Sequence, residues 1–381
     1  MTTAPLKAIV VGTGFGCRIH VPALRAAGFE VVGLVGAELR RTTQRAEQNG
    51  VAGGFADLEE AISQTGADVV TVATPPHTHC PLAVAAFERG CHVLCEKPFA
   101  RDSAEARAML TAARKSGKVH LIGNEFRFVP QRAAAARAIA DGLIGEPRFA
   151  TFVQIAAFVK YWERDFPDWW FEPAEGGGWL GASGSHVVDQ IRSWLGEFDS
   201  VSASLTTVAL TRGPVDDSYS VRFRLKNGLE GVMQQSSAAY GPLTELTAIA
   251  GDKGRIWLDG GAVRFADGEG ERNLPIPVEL SLPPPPPLTA DPRNDRDDWK
   301  AMAQAEIAPY TELCKTFRAL ILGETPRSPV QMASFADGLA NMEVIDAIRR
   351  SAREGGSLVK VGEVSPHEAR ERKRTGEAKA S

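Results

Sequence analysis

The chain has 381 residues, enough for two hydrophobic cores, and 43 Lys and Arg against 47 Asp and Glu give it a formal net charge of -4. That balance offers no basic face to nucleic acid or an anionic membrane, and no run approaches the roughly 18 apolar residues of a membrane span. A small-molecule partner and a soluble, cytoplasmic protein without a signal segment are therefore expected.

From Leu6 to Cys95 short apolar runs alternate with helical stretches, the pattern of a parallel sheet covered on both faces. Strands are predicted over Ala8–Val11, Val31–Val35, Val69–Ala73 and Val93–Cys95, and helices over Pro22–Ala27, Arg40–Gln48, Leu58–Gln64 and Pro81–Arg89. Asp102 or Ser103 caps a helix running through Arg114, and a predicted strand at Val119–Ile122 leaves this unit, which sets a boundary near Gly123. Beyond it the pattern predicts a helix over Gln131–Ala140 and a long strand over Arg148–Val159. Phe158, Tyr161, Trp162, Phe166, Trp169, Trp170 and Phe171 then crowd a proline-punctuated loop, where they either close a pocket over a ring or fill a core. Gly176-Gly177-Gly178 leads into a predicted helix carrying His186, Asp189 and Trp194.

Strands resume at Val201–Leu210, Ser218–Leu225, Leu229–Ser236, Thr244–Ala250 and Arg255–Leu258, with turn signals between them, so the second half reads as an antiparallel sheet. A proline run at 283–287 opens a surface loop, helices return at Tyr310–Leu322 and Gln331–Arg353, and the charged stretch 363–381 is expected to be disordered. An open sheet needs its outer face covered, so a homodimer or homotetramer is expected. Five cysteines (Cys17, Cys80, Cys91, Cys95 and Cys314) are few and odd in number, which argues for reduced thiols. Cys91 and Cys95 share one extended strand without a ligand-presenting loop, so no metal is expected there.

The first strand runs into Gly12-Thr13-Gly14-Phe15-Gly16-Cys17, in which Gly12, Gly14 and Cys17 occupy the three positions of a dinucleotide fingerprint. The first two permit a tight turn and close pyrophosphate approach; amides of Phe15, Gly16 and Cys17 at the helix start would hold the anion. Cys17 is larger than the usual Gly or Ala at its position. An acid normally follows the second strand to bind the ribose, but here Gly36 stands there. Arg40 and Arg41 are close enough to meet a 2′-phosphate, and Glu38 is an alternative ribose ligand. The cofactor is thus NAD or NADP, with a lean to NADP.

Three segments, Gly12 to His20, Thr74-Pro75-Pro76-His77-Thr78-His79 followed by Glu96-Lys97-Pro98, and Gly176 to Gly178 leading to Gly184-Ser185-His186-Val187-Val188-Asp189, together resemble the Gfo/Idh/MocA oxidoreductase family. The resemblance extends from about Lys7 to Val361 and implies an α/β architecture. A Rossmann dinucleotide-binding domain (1–123) would be followed by a substrate-binding and oligomerisation domain with a large, mostly antiparallel open sheet (124–362). It implies that Thr74, Pro75, His79 and Glu96 border the cofactor, with packing behind the turn the alternative for His79, and that Lys97 and His186 flank the nicotinamide and the substrate carbon.

Moving a hydride between nicotinamide and a secondary alcohol or ketone also moves a proton, which suits His186 as general acid or base and Lys97 as the group polarising the oxygen. Arg127, Trp170 and Asp189 join Lys97 and His186 as candidate substrate contacts, with a structural ion pair the alternative for the Glu125-x-Arg127 segment. One departure stands out: family dehydrogenases usually carry an aspartate four residues before the histidine, and this chain has Ala182. The implied activity is NAD(P)-dependent oxidoreduction of a sugar, glycoside or cyclitol. Its rivals are another cyclic alcohol or a dihydrodiol as substrate, and a dinucleotide sensor without turnover.

Overall fold

The computed structural model describes residues 4–158, 166–209, 212–285 and 297–363. Tyr161 and Trp162, part of the proline run and the charged terminal stretch lie outside the described residues.

The first sheet has six parallel strands, β1 (Lys7–Val11), β2 (Glu30–Val35), β3 (Gly53–Phe55), β4 (Val69–Val72), β5 (His92–Cys95) and β6 (His120–Ile122), in the order 3-2-1-4-5-6. Its strands are buried almost throughout because helices α1 (Val21–Ala26), α2 (Leu39–Gln48), α3 (Leu58–Thr65), α4 (His79–Glu88) and α5 (Ser103–Ser116) accompany them. Asp102 caps α5, its carboxylate accepting from the amides of Ala104 and Glu105. The strand order reverses between β1 and β4, and a crevice opens at that switch point beyond the carboxyl ends. Three segments leave strands there: the Gly12 turn after β1, Thr74 after β4 and Lys97 after β5. Sequence patterning misses β3, whose Gly-Gly-Phe is held in the sheet by packing of Phe55 across Gly33.

The second sheet has nine strands: β7 (Pro147–Ile155), β8 (Phe198–Thr206), β9 (Ser218–Leu225), β10 (Glu230–Ser236), β11 (Thr244–Gly251), β12 (Arg255–Asp259), β13 (Ala262–Asp267), β14 (Gly270–Leu274) and β15 (Val359–Lys360). Their order is 14-13-12-11-7-10-9-8-15, antiparallel except where β7 runs beside β10. Helix α6 (Pro130–Ala140) packs on β12 and β13, and α7 (Ser185–Leu195) packs beside α6.

Two long helices, α8 (Asp297–Ile321) and α9 (Phe335–Arg353), tie the halves together. Residues of α8, among them Ile307, Leu313 and Phe317, share a core with Ile19, Leu24 and Phe29 of the first half, while α9 packs on both α5 and β8. The expected start of α8 at Tyr310 is thus corrected to Asp297, with the helix running through Pro309. The start of α9 moves from Gln331 to Phe335, because Ser334 and Asp337 form a reciprocal capping box.

Candidate active site

After β1 the chain turns at Gly12 with φ +113°, and a Cβ there would stand 2.2 Å from the Ala73 carbonyl oxygen, so glycine alone passes between the two strand ends. The helix then opens with a π turn over Gly16–His20, in which the amide of Val21 reaches back to the Gly16 carbonyl. A Cβ on Gly16 would meet Val10 Cγ1 at 2.7 Å, so Gly16 makes the close helix-to-strand approach expected of position 17. Cys17 is accordingly free to be large and is buried. Phe15, expected at the pyrophosphate through its amide, turns its ring to His20 and to Tyr310 of α8, both at 5.7 Å between centroids.

At the end of β2 a side chain would be crowded, since a Cβ on Gly36 would stand 2.6 Å from Thr42 Oγ1 and 2.9 Å from Thr13 Cγ2, and both threonines would have to turn aside. Glu38 is the residue before α2 and does not cap it with its side chain, while Arg40 and Arg41 project exposed from the first turn. This bare glycine turn flanked by two cations suits a dinucleotide's adenosine end.

The segments after β4 and β5 are held from beneath. His79 is fully buried; Nε2 lies 2.8 Å from the Thr74 carbonyl oxygen and Nδ1 3.2 Å from that of Phe99. Glu96 Oε1 accepts from Tyr310 Oη at 2.7 Å and lies 2.9 Å from His20 Nε2. Expected among the cofactor contacts, His79 and Glu96 are instead packed clamps. One fixes the Thr74-Pro75 turn, and the other anchors the backbone from which Lys97 projects.

Lys97 Nζ donates to the carbonyl oxygen of Ala182, at 3.4 Å, from the π turn Leu180–Gly184 that leads into α7. One turn on, His186 is 7% exposed, and its ring stacks on Phe126 at 4.1 Å and 23°. Burial, then the charges of Lys97 and Arg132, hold its pKa well below the usual imidazole value, so the ring is neutral around pH 7. Nε2 faces Glu125 Oε1 at 4.0 Å. Glu125, 2% exposed, has its pKa pushed up to about 8 by burial, against the lowering influence of Lys97.

The glycine triplet delivers α7 to this place. A Cβ on Gly177 would meet the carbonyl oxygens of Trp169 and Trp170 at 2.6 Å, so the aromatic turn packs backbone to backbone against the glycines. Asp216 Oδ2 accepts from the Leu180 amide at 2.6 Å and fixes the start of the π turn. Trp170 is partly buried against the main core with its ring edge-on to Phe166 at 4.5 Å. The core alternative describes Trp170 better than a pocket wall does.

Arg127 and Asp189, expected as substrate contacts, are committed to each other. Arg127 Nε and Nη2 donate to the two oxygens of Asp189, each at 2.7 Å, and Asn341 Nδ2 of α9 adds a bond of 3.1 Å. The structural ion pair, the other reading of this segment, is the one formed.

A cavity of about 30 Å³ lies beside His186, large enough for a water or a single hydroxyl group. Its lining includes Arg132, Gln154, Ser183, Gln190 and Gln235, with Arg132 Nη1 donating to Gln190 Oε1 at 2.8 Å. Sequence reading missed Arg132, Gln154 and Gln235. They come from separate elements, and no local spacing marks them.

Comparisons with known proteins agree with this architecture. The family described as "Oxidoreductase family, NAD-binding Rossmann fold" matches residues 6–124, and the Gfo/Idh/MocA C-terminal domain matches residues 133–257. Levoglucosan dehydrogenase of Pseudarthrobacter phenanthrenivorans is 32% identical over 241 residues, covering 56% of this chain and 60% of that protein. 1,5-Anhydro-D-fructose reductase of Ensifer adhaerens is 29% identical, over 55% of this chain and 62% of the reductase. A solved levoglucosan dehydrogenase in complex with NADH and levoglucosan superposes with a TM-score of 0.78 at 27% identity, over 95% of this chain and all of that one.

Proposed function

The chain belongs to the Gfo/Idh/MocA oxidoreductase family, and from that premise we propose that it transfers a hydride between NAD(P) and a secondary hydroxyl, or the corresponding ketone, of a sugar, glycoside or cyclitol. The observation that carries this reading is the meeting of Lys97, at the carboxyl end of β5, with a buried neutral His186 on α7. Relatives named for levoglucosan, anhydrofructose and apiose point to sugar-like substrates.

When bound, the nicotinamide supplies the hydride acceptor or donor. The amides of the Gly12 turn and of Phe15, Gly16 and Cys17 at the π turn would hold the pyrophosphate. Lys97 orients and polarises the substrate oxygen, and His186, neutral at rest, takes up the hydroxyl proton in oxidation or returns one in reduction. The polar cavity beside His186 receives a substrate hydroxyl, with Arg132 and the glutamines as its partners. Incubating the full chain with NAD or NADP and a panel of sugars and cyclitols, while following reduced-cofactor fluorescence, tests this. Cofactor binding without redox change across the panel would make the chain a sensor.

The same titrations decide cofactor choice. Gly36 and the exposed Arg40 and Arg41 lead us to expect NADP to bind at least as tightly as NAD. Replacing both arginines by alanine should weaken NADP about 10-fold to 100-fold, as loss of charge-assisted phosphate bonds predicts, and leave NAD nearly unchanged. If NAD binds far more tightly and the double variant alters neither value, Glu38 becomes the ribose ligand.

We also propose a homo-oligomer built through the outer face of the second sheet. Phe149, Ile155 and Leu246 are 49%, 41% and 42% exposed on neighbouring strands, and Val153 pairs with Leu246 between them. Leu246→Arg should convert the assembly to monomers in light scattering, with the far-ultraviolet spectrum preserved. An already monomeric wild-type chain would refute the assembly.

A further inference from the structure

Position 182 carries a methyl group, and what Lys97 finds there is a backbone carbonyl. A carboxyl group nevertheless faces the pair from the opposite side. Glu125 opens the 3₁₀ turn Glu125–Phe128 that follows β6; its Oε1 stands 4.0 Å from His186 Nε2, and its Oε2 is buried with no hydrogen-bond partner among the described residues. His186 Nδ1 is likewise buried with none among the described residues. The next residue, Phe126, stacks on the imidazole, so one short turn both orients the ring and presents the carboxyl to it.

Resting on the hydride-transfer reading above, we propose that Glu125 is the proton-holding partner of His186 and Lys97, filling the place for which residue 182 offers no carboxyl. In oxidation the substrate C–H bond breaks as hydride passes to the nicotinamide, and the O–H bond breaks as its proton passes to His186 Nδ1. The Nε2 proton of the same ring moves to Glu125 Oε1. The substrate becomes a ketone, its hydride would be taken up by the bound nicotinamide, and the net proton rests on the glutamic acid. Reduction runs the same transfers backwards, drawing that proton from Glu125. Glu125 acts through the imidazole and is therefore a positioning and proton-storing residue.

The groups facing Glu125 come from every element around it: Lys97 and Glu96 from the end of β5, Arg132 from α6, His186 from α7, and Glu306 and Tyr310 from α8. Burial and the two other acids raise its pKa to about 8 against the pull of Lys97. With His186 neutral, the Glu125 carboxyl holds a proton below that pH and gives it up above it, so the pair is loaded on the acid side and empty on the alkaline side. Oxidation needs the empty pair and should rise through about pH 8; reduction needs the loaded pair and should fall over the same range.

The test has two arms. Acid-minus-alkaline difference infrared spectra of the full-length protein without cofactor should show a protonated carboxyl band that disappears through about pH 8 and is missing in Glu125→Gln. In kinetics on a verified sugar, Glu125→Gln should lose the limb near pH 8 and about 10²-fold in rate with cofactor affinity unchanged, Glu125→Asp should keep the limb, and Glu125→Gln with Ala182→Asp should regain one. An unchanged limb in Glu125→Gln, or a band that the substitution leaves in place, overturns the proposal. A band that titrates as described in a chain that turns over no sugar supports the proton pair and sinks the sugar chemistry instead.

Discussion

His186→Ala is expected to lower turnover about 10²-fold to 10⁴-fold, the usual cost of removing a general acid or base, while dinucleotide affinity stays near wild type. Two features of the site set this expectation. The imidazole is held neutral by burial first, and by Lys97 and Arg132 next, so at neutral pH it is ready to accept a proton. Its ring is also fixed in orientation by the stack on Phe126, and alanine removes base and positioning surface together. Lys97→Ala should cost a comparable factor with a different pH signature. Without the ammonium group the pKa of His186 rises, because one of the charges depressing it has gone. Lys97 also holds the Glu125 carboxyl down, so the limb of oxidation, which needs the Glu125–His186 pair empty, should move to higher pH than in the wild type. Rate measurements from pH 5 to pH 10 on one verified substrate separate the two variants. Full turnover in His186→Ala would send the proton elsewhere and detach this chain from the role its family resemblance implies.

The parts of this arrangement that could be read from sequence are those for which one strand end determines the location. A buried parallel strand followed by Glu-Lys-Pro puts Lys97 at the crevice whatever the rest of the fold does, and a strand followed by Gly-x-Gly puts the turn at Gly12 there for the same reason. The clamps were not readable. Glu96, His20 and Tyr310 meet from positions up to 290 residues apart in a 381-residue chain, and no local pattern distinguishes a buried acid from a ligand-facing one. The same holds for Glu125 and His186, which converge only because β6 ends where α7 begins. Edge strands failed for another reason. β14 carries Glu271 and Arg272 in a short exposed stretch at the sheet edge, so it does not stand apart from a polar loop. In β3 two glycines dilute the signal further.

Asp189→Ala is the substitution expected to damage stability most. Arg127 and Asp189 are 6% and 4% exposed, and their bidentate bonds leave the guanidinium dependent on a single close carboxylate, with Asp337 Oδ1 more distant at 3.4 Å. Removing one partner of such a buried pair strands the other charge, at a cost of about 3–5 kcal/mol. Replacing both, as in Arg127→Met with Asp189→Leu, should recover most of that loss, since the desolvation of two charges disappears along with their attraction. Denaturant unfolding monitored by tryptophan fluorescence measures both variants. The consequence for function follows from geometry: Arg127 lies two residues after Glu125, and Asp189 three residues after His186, so the pair ties the turn carrying the carboxyl to the helix carrying the imidazole. The double variant should therefore be nearly as stable as wild type yet slower, with the pH limb near 8 broadened or displaced. A double variant that regains stability and full wild-type kinetics together would show that the 4.0 Å approach of Glu125 to His186 is held by the remaining packing, with the ion pair contributing to the fold alone.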